Sequence, residues 1–238
     1  MTAVAAAVVA AVVTAVVTRC QNRPGAAAGR RWQAGGMQTS PPRVAALVLA
    51  AGAGRRLGGR PKALLEYRGR PLLEHAVAVV RDGGCAPVHV VLGAAREQVA
   101  AAADLTGCTV VAHPGWADGM GSSLRAGLAS LPSGCPAALV MLVDTPGITA
   151  PAVARLLAAH RAGAELAVAS YGGRRGHPVL IGARHFAEAA AAARGDRGAR
   201  ELLAAHAADL LLVECGDVAV PDDVDTPGDW ARWSGRED

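Results

Sequence analysis

The chain has 238 residues, 52% of them hydrophobic and only 3% aromatic, and a formal net charge of +4. That length suits one domain of roughly 200 residues plus an extension, with a core built from Ala, Val and Leu. The charge excludes a basic nucleic-acid-binding face on the folded part, because residues 1–42 hold Arg19, Arg23, Arg30 and Arg31 and no acidic residue, which accounts for the whole +4.

Residues 2–18 form an uncharged Ala/Val/Thr run. It lacks the positive charge that precedes the apolar part of a secretory signal. It is also shorter and richer in alanine than the about 20 strongly apolar residues of a membrane span, so no membrane is expected as a partner. Met37 stands just ahead of the first strand-like run. Residues 1–36 are therefore expected to lie outside the functional fold, as an over-extended reading frame. The chain divides into a non-conforming leader over 1–42 and a single domain over 43–238. The five cysteines, Cys20, Cys85, Cys108, Cys135 and Cys215, are odd in number and form no C-x-x-C pair. They read as small core residues of a cytoplasmic protein rather than a disulfide framework.

Within the domain, apolar runs at 44–49, 88–92, 109–112, 137–143, 166–170, 178–181 and 210–213 predict strands. Helical patterns at 72–81, 95–103, 119–131, 151–161, 183–193, 197–207 and 227–233 alternate with them. The alternation predicts an α/β protein with three layers, Rossmann-like, in which a mostly parallel sheet carries helices on both faces. Ligands of such sheets bind beyond the carboxyl ends of the strands. The loop after Leu49, His113, Asp144 and the 171–177 loop all fall there.

The first of these loops is the most specific stretch of the chain: Leu49-Ala50-Ala51-Gly52-Ala53-Gly54-Arg55-Arg56-Leu57-Gly58-Gly59-Arg60-Pro61-Lys62. Its glycines let the backbone approach a ligand closely. Amide groups in such a turn face anions, and Arg56 and Lys62 add fixed positive charge. The pattern is not the G-x-G-x-x-G of dinucleotide-binding folds. Leu57 stands at the third glycine, and Gly93 and Ala94 replace the acidic residue expected after the second strand. The P-loop pattern G-x-x-x-x-G-K-[ST] is absent as well.

What remains, L-A-A-G-x-G-x-R-L-G-x-x-P-K-A-L-L, resembles the signature of the MobA-like NTP transferase superfamily. The likeness runs from Val44 to Trp230 and favours the molybdenum cofactor cytidylyltransferase branch. It includes the segments Trp116–Gly127, Leu142–Gly147, Arg175–Pro178, Gly195–Arg200 and Asp223–Pro227. The resemblance implies a nucleotidyltransferase fold and a Mg²⁺-dependent enzyme that moves CMP from CTP onto a molybdopterin-type phosphate with release of pyrophosphate. It assigns Arg56 and Lys62 to catalysis. Leu49, Ala50, Ala51, Gly52, Gly54, Gly121, Ser122 and Ser123 join them in binding the nucleotide. His177 and Asp196 face the substrate, and Asp144 and Asp225 hold the Mg²⁺. The implied partners are CTP or another NTP, a molybdopterin-type small molecule, and a molybdoenzyme or its chaperone.

Such chemistry needs no activated serine or cysteine, because the attacking phosphate is already ionised at neutral pH. Positioning and charge neutralisation carry it. Two alternatives stay open. The same G-M-G-S-S, V-D-x-P-G, R-G-H-P, G-D-x-G-A-R and D-V-D-T pattern is similar to oxidoreductases of the nicotine blue type in this superfamily, which use NAD(P)H. A non-catalytic chaperone for molybdenum cofactor insertion is the third reading.

Several of these residues also suit plain structural roles. Asp144 before Thr-Pro-Gly suits a turn. Asp225 or Thr226 suits the cap of the last helix, and Ser122 and Ser123 suit capping of a helix that begins near Leu124. Asp196 and Arg200 have the spacing of a helical ion pair. His177 suits a loop before Pro178, and His113 a turn before Pro114.

Overall fold

The computed structural model describes residues 43–235; the leader over 1–42, with Cys20 and Met37, lies outside them, as do residues 236–238. The elements run β1 (Ala45–Ala50), β2 (Glu66–Tyr67), β3 (Arg70–Pro71), α1 (Leu72–Asp82), β4 (Val88–Leu92), α2 (Arg96–Ala102), β5 (Cys108–Ala112), α3 (Met120–Ala129), β6 (Ala137–Leu142), α4 (Ala150–Arg161), β7 (Leu166–Tyr171), β8 (Arg174–Gly182), α5 (Phe186–Ala192), α6 (Arg200–Ala205), β9 (Leu211–Glu214) and α7 (Pro227–Ser234).

Seven strands form one sheet in the order β5-β4-β1-β6-β8-β7-β9. The β4, β1, β5 and β6 pairings and the β7–β9 pairing are parallel, whereas β8 runs antiparallel to both β6 and β7. The sheet is mostly parallel, as expected, with one reversed strand. Its first strand shows why both faces are covered. Alternate residues of a strand point to opposite faces. Ala46, Val48 and Ala50 pack on the side of Leu73, Val77 and Val80 of α1 and of Val153 and Leu156 of α4. Leu47 and Leu49 pack on the other side, with Leu124 and Leu128 of α3, Ala189 of α5 and Leu202 of α6. A run apolar at every position is what a strand buried on both faces requires.

Two local expectations change. The strand read at 178–181 starts at Arg174, so His177 sits inside β8 rather than in a loop. The turn before it is tight, with Gly172 and Gly173 both at positive φ (59 and 79), as a two-residue hairpin between twisted strands demands. The β2–β3 hairpin is too short to leave a periodic trace. It opens a satellite cluster of Leu57, Leu65, Tyr67, Leu72, Val224 and Trp233 that seats α7.

Cys85, Cys108, Cys135 and Cys215 are free thiols. Burial pushes the Cys85 thiol up to about 12, which keeps it protonated and unreactive. Among the described residues, no helix is long and apolar enough to cross a membrane.

Candidate active site

The loop after β1 folds back on itself at a glycine. Gly54 adopts φ 61, and a Cβ there would overlap the carbonyl oxygen of Arg60. The backbone amides of Leu57 and Gly59 both donate to the Gly54 carbonyl, at 2.9 and 3.1 Å. Two 3-10 turns, Arg55–Leu57 and Lys62–Leu64, then deliver the basic side chains to the carboxyl end of the sheet.

Lys62 is the centre of the site. Its Nζ donates to Asp144 Oδ2 and to Asp225 Oδ1, each at 2.6 Å, and Arg56 donates to the other oxygen of Asp225, also at 2.6 Å. Asp144 stands two residues beyond the end of β6. Asp225 is brought beside it by a backbone bond: the amide of Val224 donates to the Asp144 carbonyl at 2.8 Å, and the Val224 side chain is fully buried in the satellite cluster. The helix cap expected at Asp225 or Thr226 belongs to Thr226, in a reciprocal box with Asp229. Asp225 is thereby left to face Lys62.

The electrostatics follow from this geometry. Burial works against the Lys62 ammonium, but Asp144 and Asp225 outweigh it and hold the lysine above its usual pKa. The hydrogen bond from Lys62 holds the Asp225 carboxyl below the usual carboxylate value. Asp223 behaves oppositely. Its partial burial and the negative charge of Asp225 raise it, so a third carboxyl lies within the field of the pair.

A cavity of about 370 Å³ opens in front of this cluster, lined by Leu49, Ala50, Ala51, Gly52, Gly54, Lys62, Ser123, Asp144 and Asp196. Nine of the residues singled out from the sequence therefore converge on one space. Others do not reach it. Gly121 is pressed against the backbone of Arg194, where a Cβ would come within 2.6 Å of the amide nitrogen. Ser122 is buried, and its hydroxyl lies within hydrogen-bonding reach of the Gly119 and Gly115 carbonyls, at 2.7 and 3.0 Å, and of His113 Nε2 at 2.8 Å. It is no helix cap, since α3 already starts at Met120 with Gly119 before it. His113 does more than shape a turn, because it ties that turn to α3.

Asp196 makes no i,i+4 pair with Arg200 in the described contacts; the pair at that spacing is Arg197 with Glu201, at 2.7 Å. Asp196 is held at the cavity because Gly119, at φ 95, lets the 195–196 backbone lie directly on α3. His177 lies outside the lining of this cavity. Burial holds its imidazole below the usual value and so neutral, and its Nδ1 is buried without a hydrogen-bond partner.

Arg55, and Trp116 and Met120 from the Trp116–Gly127 segment, also line the cavity, although none of the three was assigned a role of its own. Trp116 additionally borders a second cavity of about 800 Å³, formed by residues 93–98 with His113 and Pro114. Gly93 permits this arrangement, because a Cβ there would meet the Trp116 Cβ at 2.5 Å.

A glycine-rich cradle and two convergent carboxylates at the carboxyl end of a mostly parallel sheet define an α/β nucleotide-handling protein. The chain belongs to the MobA-like NTP transferase domain family, whose profile matches residues 46–210. With that family come nucleotidyl transfer and the binding of a nucleoside triphosphate. The chain is 43% identical over 195 residues to nicotine blue oxidoreductase of Paenarthrobacter nicotinovorans, covering 79% of this chain and 95% of that one. Among solved structures, a homologue of Mycobacterium tuberculosis Rv0371c from Mycobacterium sp. strain JC1 superposes with a TM-score of 0.70 at 36% identity, covering 80% of this chain and 94% of that one. The manganese complex of Rv0371c itself superposes with a TM-score of 0.68 at 31% identity, covering 81% and 98%.

Proposed function

We propose that the protein transfers a cytidylyl group from CTP to the phosphate of a molybdopterin-type acceptor and releases pyrophosphate. One observation carries the reading: Asp144 and Asp225, far apart in sequence, present oxygens 2.6 Å from one cationic nitrogen at the mouth of the glycine-loop cavity. Two carboxylates that already converge on a single positive charge fit a hard divalent ion, which prefers oxygen ligands, and a manganese-bound relative supports that fit. Asp144 and Asp225 would hold Mg²⁺, which supplies charge neutralisation at the transferred phosphate.

The chain's own groups do the rest. The loop from Leu49 to Gly54 accepts the nucleotide, with its triphosphate toward Arg55, Arg56 and Lys62. An oxygen of the acceptor phosphate attacks the α-phosphorus, the bond to the β-phosphate oxygen breaks, and pyrophosphate leaves with the electron pair. Lys62 and Arg56 offset the charge that builds on the leaving group. Asp196 lines the wall where the acceptor lies, and Ser123 lines the nucleotide side of the same cavity. The test is pyrophosphate release from CTP, GTP and ATP with molybdopterin and Mg²⁺. Release that is fastest with CTP and lost in Asp144→Ala supports the proposal; no release with any nucleotide overturns it.

The 43% identity to nicotine blue oxidoreductase supports a second reading, in which NAD(P)H occupies the same cavity and reduces a quinone-like acceptor. NAD(P)H oxidation with such an acceptor, measured alongside pyrophosphate, separates the two. Binding of molybdopterin with neither turnover would mark a protein that delivers the cofactor to a molybdoenzyme.

A further inference from the structure

A second cluster of ligand-type side chains lies away from the cavity. His185 ends the short 3-10 turn after β8, Glu188 lies in the first turn of α5, and His206 follows the end of α6. One ligand atom from each lies within 4.8 Å of the others. Glu188 Oε2 is 3.6 Å from His185 Nδ1 and 2.9 Å from His206 Nε2, and the two imidazole rings meet edge to face at 4.7 Å. Gly182, just before this turn, pairs with Ala137 at the start of β6, whereas Asp144 follows the end of β6. The cluster therefore sits at the opposite end of the sheet from the candidate active site.

We propose that His185, Glu188 and His206 bind one Zn²⁺ ion that staples α5 to α6. Two imidazoles and one carboxylate form a donor set for a borderline divalent ion such as Zn²⁺ and a poor one for Mg²⁺. A water completes the tetrahedron. His185 is buried and fixed, while Glu188 and His206 are accessible enough to close around an ion. Arg184 Nε donates to His185 Nε2 at 3.1 Å, which places the ring proton of the neutral imidazole on Nδ1. When Nδ1 takes the metal, that proton moves to Nε2. Arg184 then turns to Glu165, whose carboxylate already lies 3.5 Å from Arg184 Nε.

The test is titration of the tag-free, full-length protein with ZnCl₂ by calorimetry, in excess Mg²⁺ so that the acidic pair is masked. A parallel CoCl₂ titration reads the visible spectrum, and thermal melting is measured with and without Zn²⁺. The expected result is one equivalent bound, a tetrahedral Co²⁺ spectrum and a raised melting temperature, all lost in His206→Asn and Glu188→Gln and all retained in Asp144→Asn. Glu188 is exposed, so its variant reads ligand loss even if the histidine variant folds poorly. No saturable binding, binding unchanged in both cluster variants, or binding lost in Asp144→Asn would each overturn the proposal.

Discussion

Lys62 Nζ and Asp144 Oδ2 stand 2.6 Å apart although 82 residues separate them in the chain. Both side chains are mostly shielded from water, at 17% and 19% exposure. Lys62→Met should therefore act twice. Transfer should fall by about 10²–10³, the usual cost of losing one preorganised charge donor. The protein should also lose about 1–3 kcal/mol, because Asp144 is left beside Asp225 without its donor. Melting curves of the variant should recover when Mg²⁺ or Mn²⁺ is added, and an unchanged curve would argue against the carboxylates as an ion site.

Arg56 offers the contrasting case. Its pair with Asp225 is 73% exposed on the arginine side, so Arg56→Ala should shift stability by ~1 kcal/mol or less. Its effect belongs to turnover. Steady-state kinetics should show a clear fall in kcat/KM for the nucleotide with an almost unchanged melting temperature.

Gly119→Ala should damage both the fold and the site. The residue sits at φ 95, and a Cβ would lie 2.5 Å from the Gly195 carbonyl carbon and 2.7 Å from Asp196 Oδ1. The strained backbone should cost about 1–3 kcal/mol. The Asp196 segment must also move away from α3, so KM for the acceptor should rise more than KM for the nucleotide.

Glu214 sets an acid limit on the hairpin that carries His177. Its carboxylate accepts from the amides of Gly172 and Gly216 and from Ser170 Oγ, and these bonds, led by Gly172, depress its pKa to about 2. A depressed acid stabilises the folded state above its unfolded value of 4.5 and ceases to do so as pH falls toward about 2. Melting temperature should decline through that window in the native protein. Glu214→Gln should melt lower at neutral pH and decline less steeply through the same window.

The strands at the middle of the sheet were legible because burial on both faces writes an unbroken apolar run; β4 was read at its observed limits, 88–92. Element ends were less visible. Arg174-Arg175-Gly176 is polar and still pairs as strand, because β7 extends past its irregularity at Val168/Ser170 to meet it. The signal that could have shown this was the Gly-Gly pair ahead of it. The loop motif pointed to Lys62, which lines the cavity, yet the alternation of Arg55 and Arg56 could not be resolved: Arg55 lines the cavity and Arg56 turns to Asp225. Ser122 illustrates the converse, a motif residue whose hydroxyl is taken up by its own loop. The meeting of Asp144 with Asp225 depends on the Val224 backbone bond, which no spacing encodes.

A lysine lodged between two aspartates is an internal competitor for whatever else those aspartates attract. Metal binding to the empty protein works against the ion pair, whereas a triphosphate offers Lys62 another anion and frees the carboxylates. On the proposed reading the two ligands are thermodynamically coupled: each tightens the other's binding by the same factor. Lys62 thus links the order in which the site is filled to the stability of the site when nothing fills it.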